Sequence, residues 1–166
     1  MSRRVDWVRV TAYGLLPGLA LLLALTAGAF RYADGSVRES ADARTQSVAA
    51  AKASTVAILS YSPGTVDRQL HDASGRLTGG FLKLYTNLID DVVIPAAKQK
   101  SVTAVATVPA AGVISARPDH TVLMVYVDQK VTVGMDAPTD NVSSVRVTMD
   151  LVDGRWLISA FEPVRA

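Results

Sequence analysis

The sequence predicts an α+β domain tethered to a membrane. Three observations carry that prediction. A charge-free apolar run lies near the start, a helical period fills the middle, and a period of two fills the end. Helices followed by antiparallel strands pack as an α+β layer fold. A long first helix, a shorter second one and a curved sheet would make a conical roll.

The apolar run covers Val10 to Phe30, 21 positions without a charged side chain. A bilayer core about 30 Å thick needs roughly 20 apolar residues of helix to cross it. Pro17 and Gly18 do not count against a span, because membrane helices tolerate both. Arg3, Arg4 and Arg9 precede the run, offset only by Asp6. Basic excess beside a span stays cytoplasmic. Residues 1–9 are therefore expected to be a cytoplasmic tail and 10–30 a single-pass transmembrane helix. The rest is expected to be extracytoplasmic, in the periplasmic space of the cell envelope. The competing reading is a cleaved secretory signal, with Ala27-Gly28-Ala29 as the small-x-small site. The run exceeds the roughly 7–15 residues of a signal core, which favours a retained anchor.

Residues Asp34 to Tyr61 read as one long, alanine-rich helix. Val37, Ala41, Arg44, Val48, Ala51, Thr55 and Ile58 recur at steps of three and four. The stripe is properly apolar only from Val48. Residues 31–47 are thus expected to be a helical stalk and 48–166 the extracytoplasmic roll. Ser62-Pro63-Gly64 stops the helix. Val66 to His71 makes a short helical piece ended by Ser74-Gly75. Leu77 to Val93 is a second strong helix, with Leu77, Phe81, Leu84, Leu88 and Val92 on one face and Tyr85 and Ile89 beside them. Pro95 marks its expected end.

The period then changes to two. Val102 to Val108 is a strand broken by Pro109, and Gly112 to Ala116 a second one. His120 to Val133 is a long third strand with Leu123, Val125 and Val127 on one face and Val122, Met124 and Tyr126 on the other. Val142 to Val152 follows, with Val145, Val147, Met149 and Leu151 opposite Arg146, Thr148 and Asp150. Asp153-Gly154 is a tight-hairpin signal, since a type I′ turn needs two positive φ angles. Arg155 to Val164 closes the sheet, with Trp156, Ile158 and Ala160 on alternate positions.

Composition excludes several classes. Three of the 17 basic and one of the 15 acidic residues precede Arg31, which leaves 14 of each in the outer part. A neutral domain without a basic patch is not expected to bind nucleic acid. No cysteine is present, which excludes lipoprotein attachment, disulfides and thiolate sites.

No constellation of catalytic residues stands out, so no enzyme activity, cofactor or metal is expected. His71 and His120 lack metal-ligand spacing and read as surface histidines. Asp90 and Asp91 point about 100° apart on a helix and read as a solvated end near Lys98 and Lys100. Asp150 shares a strand face with Arg146 and Thr148. An inward face would make these pocket groups, whereas an outward face would make them solvent-facing, and the outward one is favoured. Ser62, Ser115, Ser143 and Ser144 lack a nucleophile-elbow context. Gly79-Gly80 reads as a close-packing pair within a helix rather than a phosphate loop. Asn141-Val142-Ser143 fits a glycosylation sequon only weakly. Phe81, Tyr85, Tyr126 and Trp156 are expected in the core; the same residues would line a lipid pocket if the roll were left open.

The ordered motifs resemble a known family. Leu59-Ser60-Tyr61-Ser62-Pro63 and Leu77-Thr78-Gly79-Gly80-Phe81-Leu82-Lys83-Leu84-Tyr85 form the first half of the pattern. Ser144-Val145-Arg146-Val147-Thr148-Met149, Val152-Asp153-Gly154-Arg155-Trp156 and Phe161-Glu162-Pro163-Val164 form the second. With the basic tail and the single span, these resemble the Mce-associated membrane proteins of mycobacteria and related actinobacteria. The resemblance implies an outer domain like nuclear transport factor 2. It also implies an accessory or stabilising role beside Mce complexes, which import lipids such as sterols or fatty acids. The partners it implies are Mce subunits or their permease, the cell membrane and a lipid. The family brings no catalytic set. Type IV secretion assembly factors share the layout, so a secretion role is one alternative. A lipid-binding or isomerase-like pocket is the other.

Overall fold

A computed structural model of the chain describes residues 40–164. The expected tail, the span over Val10–Phe30 and the stalk as far as residue 39 lie outside the described residues. Among the described residues, no helix is long and apolar enough to cross a membrane.

Helix α1 covers residues 40–59. Its buried positions are Ala43, Ser47, Ala51, Ser54, Thr55 and Ile58, small residues for the most part, so the helix can lie close against its neighbours. Arg44, expected on the buried stripe, is exposed. Helix α2 spans Val66–Ser74 and buries Val66, Leu70 and Ala73. Its start is ordered by polar side chains: the Ser62 and Thr65 hydroxyls lie 2.9 Å apart, and the Ser62 amide donates to Gln69 Oε1 at 3.0 Å.

Helix α3 spans Gly79–Leu88, and a π-helical turn at Ile89–Val93 joins it directly to α4, Ile94–Lys100. Pro95 does not end the helix. The Ile94 amide reaches back five residues to the Ile89 carbonyl. The widened turn moves the hydrogen-bond register where proline, with no N–H, would otherwise leave a carbonyl unpaired and crowd it. Ser101 closes α4 in a left-handed conformation (φ 53°), its amide donating to the Ala97 carbonyl.

Gly79 and Gly80 begin α3 rather than lying inside it. Neither would bring a Cβ within 4 Å of a neighbour, so close packing is not their role. Gly79 has φ +61°, a backbone that favours glycine. It turns the chain sharply after Arg76–Thr78, which is hydrogen-bonded to Ile158 at the sheet edge.

Among the described residues four strands, not five, form one curved antiparallel sheet in the order β1-β2-β3-β4. They are β1 Val102–Ala116, β2 His120–Val133, β3 Thr139–Val152 and β4 Arg155–Pro163. Pro109 does not break β1. It falls in a register shift between Thr107 and Ala110 on an edge strand, where no ladder N–H is required of it. Another shift, between Thr148 and Met149 against β4, turns Phe161 to pair with Val147 and moves Ala160 beside Thr148. Phe161 therefore takes the inward place expected of Ala160. The β3–β4 turn is as expected, with Asp153 at φ 50° and Gly154 at φ 75°.

One sheet face carries Leu123, Val125, Val127, Val145, Val147, Met149 and Ile158, each 3% exposed or less. These join Ala51, Ile58, Tyr85 and Ile89 from the helices in a single core cluster. Burying one such aliphatic side chain contributes about 1.5–3 kcal/mol before entropy is counted.

Candidate ligand cleft and contact face

The helix expected to bury Leu84, Leu88 and Val92 instead buries Tyr85 and Ile89. The three aliphatics are 69%, 51% and 55% exposed. Both stripes have helical spacing, so period alone does not choose between them. The choice is made by Tyr85, whose hydroxyl donates to the Ile58 carbonyl at 3.1 Å and ties α3 to the end of α1.

Around this contact lies an apolar cleft of about 470 Å³. Ile58 and Tyr61 supply one side of it. Phe81, Leu84 and Leu88 supply another, and Phe161 and Pro163 of β4 a third. Phe81 stacks on Phe161 with centroids 5.9 Å apart and planes inclined by 13°. Gln129 enters from β2, and its amide nitrogen donates to the Leu59 carbonyl at 3.0 Å. Burial raises the Tyr85 phenol far above its ordinary range, and repulsion from Tyr61, once that phenol ionises at high pH, adds to the effect. Burial also raises Tyr61. Both phenols are neutral at physiological pH.

The opposite face of the sheet is different. Tyr126, expected in the core, is 49% exposed there. Val105 and Val142 are 52% and 72% exposed on the same side. Strand register sets Val105, Lys130 and Asp140 in one row and Thr107, Asp128 and Val142 in the next. Lys130 and Asp140 approach to 3.6 Å. A concavity of about 530 Å³ runs across these two rows.

No protein-family model matches the chain. The outer membrane protein Rv1973 of Mycobacterium tuberculosis is 56% identical over 160 residues, covering 96% of this chain and 100% of that protein. The chain belongs to the family of Rv1973.

Solved structures similar to this Rv1973 relative share its fold at low identity. An IcmL-like type IV secretion system protein of Legionella pneumophila matches with TM-score 0.62 at 11% identity, covering 74% of this chain and 94% of that one. A periplasmic fragment of TraM matches with TM-score 0.61 at 13% identity, over 74% and 97% of the two chains. The VirB8 protein of Agrobacterium tumefaciens matches with TM-score 0.57 at 13% identity, over 73% and 94%. At such identities the likeness is one of fold.

In this member of the Rv1973 family, residues read singly in the sequence are joined in pairs. His71 Nε2 lies 3.1 Å from Asp90, linking α2 to the π turn. His120 Nδ1 lies 2.6 Å from Asp150 across β2 and β3. Asp150 thus shares the outer face with Arg146 and Thr148, as favoured from the alternation, with His120 as its partner. Lys98 meets Asp67, not Asp90 or Asp91, at 2.6 Å. Its ammonium holds the Asp67 carboxyl below the usual carboxylate range.

Neither histidine pair has a nucleophile hydrogen-bonded to it, and no group of three or more potential metal ligands occurs among the described residues. Asn141 of the sequon sits in β3, paired with Gln129. Phe81 and Tyr85 do line the cleft, whereas Trp156 is buried away from it and Tyr126 faces outward. Tyr61, Gln129 and Phe161 also line the cleft, and no site motif in the sequence marks them. Gln129 offered one signal: an amide in a long apolar strand, at an inward position of the alternation.

Proposed function

We propose that this protein is a membrane-tethered, non-catalytic subunit of a multiprotein envelope complex, and that its outer domain holds other proteins in place. The observation that carries this reading is the outer sheet face. Tyr126, Val105 and Val142 are exposed beside Lys130, Asp128 and Asp140; exposed aromatic and aliphatic groups bordered by polar ones mark protein-contact surfaces. The fold supports it, because the similar chains include a type IV secretion system protein and VirB8. The span expected at Val10–Phe30 would tether the domain outside the cytoplasmic membrane.

Two machines compete as the partner. The fold favours assembly of an envelope secretion complex. The ordered motifs, from Leu59-Ser60-Tyr61-Ser62-Pro63 to Phe161-Glu162-Pro163-Val164, favour the accessory role in Mce-type import of sterols or fatty acids. The test is affinity purification of the tagged full-length protein from native membranes in mild detergent. Mass spectrometry of the eluate identifies partners. Mce subunits with their permease would decide for import, and secretion components for assembly. Recovery of the protein alone from an intact membrane fraction would overturn the reading.

A further inference from the structure

The apolar cleft has features that a protein-contact role does not use. It is a concavity within the size range of small-molecule sites, roughly 300–1,000 Å³. Its lining is aromatic and aliphatic. Among the described residues, no Lys, Arg, His, Asp or Glu contributes to it. The polar groups that reach it are few, and two are already spent. The Tyr85 hydroxyl is given to the Ile58 carbonyl, and the Gln129 Nε2 to the Leu59 carbonyl. Two side-chain polar atoms of the lining have no hydrogen-bond partner among the described residues: the Tyr61 hydroxyl, which can donate, and the Gln129 carbonyl oxygen, which can accept.

These facts select a ligand class. A carboxylate or phosphate entering the cleft would lose its water and meet no cation of the described lining, at a cost of several kcal/mol. A wholly apolar molecule would leave the Tyr61 and Gln129 groups unanswered. A neutral molecule with one hydroxyl satisfies both, because a hydroxyl accepts from Tyr61 and donates to Gln129. Exposed Leu84 and Leu88 rim the opening and offer an apolar path inward. The span expected at Val10–Phe30 would tether the protein beside a bilayer, where molecules of this class reside.

We propose that the cleft between α1, α3 and β4 binds a neutral amphiphile bearing a single hydroxyl, of the long-chain alcohol or sterol class, with its hydroxyl at Tyr61 and Gln129. The site excludes free fatty acids. This inference stands apart from the contact face and does not depend on which machine the protein serves.

The experiment uses the full-length protein in lipid nanodiscs and three diazirine probes: a long-chain alcohol, a sterol and the fatty acid matching the alcohol. Labelled positions are mapped by peptide mass spectrometry. At least one neutral probe should label peptides containing Phe81–Leu88 or Phe161 saturably, and unlabelled alcohol or sterol should compete. The fatty acid should label them about ten-fold less at neutral pH. Tyr61→Phe should weaken alcohol or sterol labelling roughly three- to ten-fold, the loss of one hydrogen bond. Leu88→Glu, at an exposed rim position, should abolish cleft labelling while the circular dichroism spectrum is kept. Fatty acid labelling as strong as that of the neutral probes would overturn the proposal. So would unsaturable labelling spread over the surface, or a Leu88→Glu protein that labels like the wild type.

Discussion

Along β2, Leu123, Val125 and Val127 are buried in the core, while Tyr126 and Asp128, one register step away, face outward. On β3, Val145, Val147 and Met149 share the inner side, and Arg146 and Asp150 the outer. The inner side is apolar because the helices cover it. The outer side keeps Tyr126, Val105 and Val142 exposed, with no element of the described chain packed over them to explain it. The contrast separates residues that hold the fold from residues available for contact. A half-turn of strand is enough to change which role a side chain has.

That contrast can be broken most severely from the inside. Leu123→Ala should destabilise the domain by about 2–5 kcal/mol in a denaturant titration, since the site is fully buried and a cavity would remain. If the loss were under about 1 kcal/mol, the inner face would not be the principal core. Tyr85→Phe should cost about 1–3 kcal/mol, because the Ile58 carbonyl would be left buried without its donor.

The same variant sharpens the pH behaviour. Tyr85 is raised above the ordinary tyrosine value of 10.0 in the fold, so its contribution is complete below that pH. The contribution is lost as pH rises toward the folded value. Tyr85→Phe should flatten this alkaline decline, which thermal melts at increasing pH would reveal. Gly79→Ala should cost about 1–2 kcal/mol, because the position is left-handed.

On the outer face the expected stability changes are smaller. Tyr126→Ala and Val142→Ala should stay within about 0.5 kcal/mol of wild type. Both should still lose captured partners in the membrane purification. Unchanged capture would assign partner binding to another surface. Asp67→Asn is expected to have the smallest effect of the series. The Lys98 pair is exposed on both sides, and such pairs contribute little. The carboxyl lies below its ordinary 3.8, so its stabilisation is present above that pH and fades as pH falls through the lowered value. The variant should differ from wild type only above that acid range.

The order of elements was legible because each has its own period or punctuation. Val66 to Ser74 is bounded by Ser-Pro-Gly and Ser-Gly, and β3–β4 by Asp153-Gly154. What the pattern could not settle was where a local rule yields to its surroundings. Pro95 reads as a stop, yet a π turn before it supplies a register that tolerates proline. Pro109 reads as a break, yet it lies in a bulge on an edge strand. Leu84 and Tyr85 both head apolar stripes, and only the long-range bond to Ile58 makes Tyr85 the buried one. The cleft was hidden for the same reason. It depends on Tyr61, Gln129 and Phe161, which are distant in sequence, and on a bulge that turns Phe161 inward.

Sheets end in rows of unpaired N–H and C=O groups on which a foreign strand can nucleate. Here the two connectors between helices meet those rows. Tyr61 exchanges both backbone hydrogen bonds with Ala104 on the free side of β1, at 2.8 and 2.9 Å. Arg76 and Thr78 do the same to Ile158 on the free side of β4, at 2.9 Å each. At both places the backbone is already taken. At those two positions a visiting protein must therefore be recognised by the shape and chemistry of side chains rather than by adding a strand.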